Sequence, residues 1–155
     1  MREFGIVKKQ MCYNIGVVII VARLLLKVKN FNEGNFVMTK IKELKISKRY
    51  SKAFNALLEI AQQRNIVVLT YDSERAGKPK GLWLKAKDVE TIVVDTYNAK
   101  GKHLLHIFAH EIGHSVLHGN ILDAAAYHSN RSYRSELETQ ASEYASRLLQ
   151  EIYAS

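Results

Sequence analysis

Residues 106–119, HIFAHEIGHSVLHG, place histidines at positions 106, 110, 114 and 118 with a glutamate at 111. Within this stretch His110-Glu111-Ile112-Gly113-His114 is an HExxH motif. On an α-helix, positions i and i+4 share a face, about 5–6 Å apart at Cβ. That spacing suits two imidazoles holding one Zn²⁺ at about 2.0–2.1 Å each. Glu111 is turned about 100° from His110, beside such an ion but not aimed at it. From there it can act as general base on a water and then pass the proton to a leaving group. The motif supplies two ligands and a base and lacks a third ligand.

His118 is one turn further along, but three successive i+4 histidines on a straight helix point too nearly parallel to close a tetrahedron. The pattern HExxHxxGxxH also fails, because Leu117 and Asn120 stand where it requires Gly and His. The third ligand is therefore expected from another element. The C-terminal run RSELETQASEYASRLL offers Glu136, Glu138 and Glu143. Glu138 is one turn before Ala141, on the side of the apolar stripe Leu137, Ala141, Tyr144, Ala145, Leu148 and Leu149. A carboxylate pointing inward there is costly unless paired, and a metal relieves the cost. Glu143 lies off the stripe and is expected in solvent. His110, His114 and Glu138, with water in the fourth position, compose a catalytic rather than a closed structural site. His118 is expected to act at the helix end or to orient a ligand. His106 is read as structural or cleft-lining, His103 as a turn residue, and Trp83 as core. Tyr127, His128 and Tyr133 lie between the two helices within reach of the cleft, and each is read as a solvated loop residue.

The elements that must position these residues follow from periodicity. KRYSKAFNALLEIAQQRN places Phe54, Leu57, Leu58 and Ala61 on one helical stripe, with Ser47 as N-cap. NIVVLTYD, GLWLKA and ETIVVDT read as strands, separated by a loop with Pro79. The histidine helix should stop at Gly119, residues 120–133 should form a polar loop, and a last helix should run from about Arg134. Strands this closely connected leave no room for crossover helices. The expected fold is α+β, a small antiparallel sheet of about three strands packed against helices.

The two motifs resemble the ImmA/IrrE family of zinc-dependent peptidases. Ala109, His110, Glu111, Gly113, His114, Leu117 and His118 match its first motif; Glu138, Ala141, Ala145, Leu148 and Leu149 match its second, with Tyr144 for Phe. Ser142 stands where Asn is usual, and Gln150-Glu151 replace a common Met-Pro. The resemblance covers about residues 45–150. It implies a protein of a phage or mobile element that cleaves a helix-turn-helix transcriptional repressor.

At 155 residues the chain is one domain's worth. Its single cysteine, Cys12, excludes a disulfide within the chain and is compatible with the cytoplasm. The net charge is +8, yet residues 1–52 hold 12 of the 23 basic residues and 3 of the 15 acidic ones. The basic excess thus belongs to an N-terminal arm, and direct nucleic-acid binding is not expected. The apolar run Ile15–Leu26 is too short to span a bilayer and is broken by Arg23, so stable membrane insertion is not expected. Residues 1–37 are read as an appendage and 38–155, from Met38, as the domain. The expected activity is a cytoplasmic zinc endopeptidase acting on a protein. The alternatives are a non-catalytic zinc-containing regulatory module and a peptidase anchored through residues 15–26.

Overall fold

A computed structural model describes residues 46–71, 80–86, 89–96 and 98–155. The expectations for residues 1–37 and for the start at Met38 lie outside the described residues. Among those described, the order is α1 (Lys48–Gln63), β1 (Ile66–Tyr71), β2 (Gly81–Ala86), β3 (Val89–Asp95), α2 (Gly101–His118), α3 (Ala124–Ser129) and α4 (Arg131–Ala154). The class is α+β, with a three-stranded mixed sheet and four helices among the described residues. None of these helices is long and apolar enough to cross a membrane.

The sheet corrects one expectation. Its order is β1-β3-β2; β3 pairs antiparallel with β2 but parallel with β1. The wholly antiparallel sheet assumed that strands adjacent in sequence pair in space. Instead only β2 and β3, separated by two residues, form a hairpin. β2, antiparallel to β3, carries the chain back to the starting end, so β3 runs parallel to β1. Thr91 to Asp95 of β3 are all buried, as in a central strand covered on both faces.

One sheet face, carrying Ile66, Val68, Trp83, Ile92 and Val94, joins the main core with α1 and α2. Leu69, Leu82, Leu84 and Val93 form a small cluster on the other face. This alternation is the two-residue period of the strands. Phe54 of α1 meets Phe108 of α2 with ring centroids 5.5 Å apart, tilted by 50°, an arrangement that favours edge contacts between rings. α1 ends where Asn65 adopts φ 57°, the left-handed turn that closes many helices. Ser47 stands at its N-cap as expected, but its hydroxyl makes no capping bond.

The segment expected as loop contains α3. Asp123 accepts from the backbone N–H of Ala125 and Ala126 at 2.9 and 3.0 Å, capping three alanines. α4 begins three residues before the expected Arg134, where Asn130 accepts from the Tyr133 backbone N–H at 3.1 Å.

Candidate metal centre

α2 presents His110, Glu111 and His114, and α4 presents Glu138. What brings them together is the close approach of the two helices. A Cβ on Gly113 would lie 3.1 Å from the Ala141 carbonyl oxygen and 3.1 Å from Tyr144 Cδ1. Glycine facing alanine therefore sets the spacing, and Glu138, one turn before Ala141, is brought to the imidazoles.

His110 Nε2 lies 3.1 Å from His114 Nε2 and 3.1 Å from Glu138 Oε2. His114 Nε2 lies 3.4 Å from Glu138 Oε1. Donors about 2.0–2.1 Å from a common centre at the tetrahedral angle are separated by about 3.3 Å. The two imidazoles meet different oxygens of Glu138, and one ligand atom from each of the three residues lies within 4.8 Å of the others, so the group could hold a metal ion. The outer ring nitrogens fit that use. His110 Nδ1 is 3.1 Å from Ser142 Oγ, which orients the ring. His114 Nδ1 is 3.0 Å from His118 Nδ1, and His118 Nε2 is 3.0 Å from Gln140 Oε1.

His118 is fully buried. Burial lowers its pKa, as do His114 and His110, against the raising effects of Gln140 and Glu138. Burial thus disfavours a charge on this last residue of α2, which packs against His114. The helix end is served by Lys85, whose ammonium donates to the Gly119 carbonyl at 2.8 Å and to Asn120 Oδ1 at 3.1 Å. Gly119 remains right-handed at φ −54°, so the helix stops where expected without a left-handed glycine.

Charge at the cluster is divided. Burial raises the Glu138 pKa, but bonds from His110, His114 and Tyr127 outweigh it and hold the carboxyl well below the usual range. Burial lowers that of His110, but the hydrogen bond to Glu138 and the charges of Glu111 and Glu138 leave it raised. Glu111, 8% exposed, is pushed up to about 7. Burial is the main cause; His114 and His110 oppose it, Glu138 adds to it, and the Trp83 backbone N–H opposes it.

The cluster opens into a cleft of about 340 Å³ whose walls are β2, α2, α3 and α4. Among the described residues β2 is an edge strand, and Gly81 to Leu84 line this cleft. A Cβ on Gly81 would lie 2.6 Å from Glu111 Oε1 and would also collide with Ile107 Cγ2. The strand therefore comes down onto the glutamate because this residue has no side chain.

Trp83 and Tyr127 were not assigned to the site from sequence. Trp83 packs against the core as expected, but its ring also stacks on His114, with centroids 6.3 Å apart and 14° between planes. It is held by donating Nε1–H to Glu90 Oε2 at 3.0 Å, a carboxylate that also accepts from Ser115 Oγ and lies 3.6 Å from Lys85 Nζ. Tyr127, expected in solvent, lies on α3 and donates its hydroxyl to Glu138 Oε1 at 2.5 Å. The Asp123 cap ahead of AAAY was the signal for that helix. His128 and Arg134 also line the cleft, whereas Tyr133 turns its hydroxyl to the Asp123 backbone N–H at 3.3 Å. His106 does not line this cleft, and His103 lies 3.2 Å from Lys80 Nζ. Glu143 is exposed, and Glu136 accepts from Gln140 Nε2 at 3.2 Å.

Comparison of the chain with family models, with curated proteins and with solved structures finds no match.

Proposed function

We propose that the chain is a zinc-dependent endopeptidase of the ImmA/IrrE kind, acting in the cytoplasm on a protein substrate. The observation that carries this reading is the convergence of His110 Nε2, His114 Nε2 and Glu138, one ligand atom of each within 4.8 Å of the others, with a buried glutamate beside them lining a cleft. Imidazole and carboxylate donors suit zinc, and a three-residue set leaves a position open. When bound, zinc supplies a Lewis acid for the scissile carbonyl and makes water a usable nucleophile near neutral pH. Glu111 takes the proton from the attacking water and returns it to the departing amine. A carboxyl pushed up to about 7 can do both. Tyr127 donates to Glu138 Oε1, the oxygen 3.4 Å from His114 Nε2, and holds the carboxylate in place. The edge of β2 offers main-chain groups to an extended substrate segment, which would add to the sheet. Methylating alternate main-chain amides of a peptide substrate should raise KM at every second position; uniform indifference would reject strand addition.

That the substrate is a helix-turn-helix repressor rests on the resemblance of the two motifs. The first experiment is zinc content of the purified chain beside Glu138→Ala. One zinc per chain, lost or much weakened in the variant, is expected. Glu111→Gln should then keep zinc and abolish cleavage. Function that survives Glu111→Gln would replace the peptidase with a zinc-containing regulatory module.

A further inference from the structure

Behind the cluster, polar atoms form a line from His114 to the surface of α4. His114 Nδ1 faces His118 Nδ1 at 3.0 Å, His118 Nε2 faces Gln140 Oε1 at 3.0 Å, and Gln140 Nε2 faces Glu136 Oε1 at 3.2 Å. With one proton on each imidazole, donors and acceptors allow this line one polarity. The carboxylate of Glu136 only accepts, so the amide NH₂ of Gln140 turns to it and the amide oxygen turns to His118. That oxygen also only accepts, so His118 carries its proton on Nε2. The neutral ring then has a bare Nδ1, which accepts from His114 Nδ1–H. With its proton on Nδ1, His114 keeps its lone pair on Nε2, the atom that meets His110 and Glu138.

We infer that Gln140 and His118 are positioning residues that fix the tautomer of His114, and that Glu136 sets the direction of the line from the protein surface. The inference rests on the metal reading and adds to it a part outside the ligand set. Four residues separate each linked pair along its helix, 114 from 118 on α2 and 136 from 140 on α4. The cross-over from one helix to the other occurs at the His118–Gln140 bond. His118 is fully buried, so no water substitutes for either of its partners. An inverted line would set two N–H groups against each other between His114 and His118, or turn the His114 lone pair away from the cluster.

The test uses the full chain and zinc alone. The dissociation constant for Zn²⁺ is measured by competition with a chromophoric chelator in wild type, Gln140→Glu and Gln140→Lys. Both variants are long and charged, but glutamate accepts and lysine only donates. Gln140→Glu should stay within about threefold of wild type, and Gln140→Lys should weaken binding roughly ten- to a hundredfold, the range for loss of such supporting groups. Equal affinities in the two variants, whether retained or reduced, would show that residue 140 only fills space and would overturn the inference. Ring-nitrogen NMR of metal-free wild type gives a second answer that needs no variant to fold. His118 protonated at Nε2 and bare at Nδ1 is expected; the opposite tautomer overturns the proposal. Absence of zinc binding by wild type would instead remove the metal reading, and the NMR result would still decide the polarity of the line.

Discussion

At the scale of single residues, protons and a bound metal would compete for the same lone pairs. His110 binds its proton more tightly than a free imidazole, because the bond to Glu138 and the neighbouring carboxylates outweigh burial. Loading a metal must expel that proton. Apparent zinc affinity should therefore fall as pH drops through the raised His110 pKa and level off above it. Calorimetry in buffers of different ionisation enthalpy should record proton release on binding; pH-independent affinity across this range would contradict the ligand assignment. Gly81 offers a complementary change. Gly81→Ala places a methyl 2.6 Å from Glu111 Oε1, which must shift. Zinc content should be retained while kcat falls by roughly a hundredfold, the cost of about 1 Å of misplacement in a reacting group. Loss of zinc from this variant would instead mean that the strand supports the ligands.

At the scale of elements, the site depends on how closely α2 and α4 approach. Gly113→Val would press into Ala141 and Tyr144. Overpacking of this kind costs about 1–3 kcal/mol, readable as a lower urea midpoint at unchanged slope. The helices can part only by withdrawing Glu138 from the imidazoles, so zinc affinity should fall in the same variant. Stability lost with affinity intact would show that α4 adjusts independently of the cluster. The strands show why part of the fold was not legible. Each strand is apparent from its local pattern, but that β3 inserts between β1 and β2 is a matter of pairing, and no short-range period encodes it. Likewise α3 has a legible cap at Asp123, whereas the contact of Tyr127 with Glu138 depends on where α3 docks.

At the scale of the whole molecule, the cluster would tie α4 to α2, since His110 and His114 come from one helix and Glu138 from the other. Zinc held by these three residues would bind the folded arrangement in preference to the unfolded chain, so it should stabilise by about 2.7 kcal/mol at a free concentration a hundredfold above Kd. Calorimetric scans should show Tm rising with zinc and falling with chelator, with little response in Glu138→Ala. An equal response in that variant would place the metal elsewhere. The core beneath is independent of the metal. Phe108 is fully buried against Phe54, and Phe108→Ala should cost about 3–5 kcal/mol, with or without zinc, by chemical denaturation.

By itself the sequence determined what is local. The four-residue spacing of His110 and His114, the position of Glu111 between them and the inward stripe of α4 that includes Glu138 all follow from the helical period, which needs no knowledge of neighbours. Tertiary structure alone decided the rest. It placed β3 in the centre of a mixed sheet, laid Trp83 on His114, set Gly81 against Glu111, and brought Ser142, Gln140 and Tyr127 to the atoms they support. The reason is physical. A ligand pair one turn apart is defined by backbone geometry, but a supporting contact spanning tens of residues exists only once two elements have packed at a particular distance and angle.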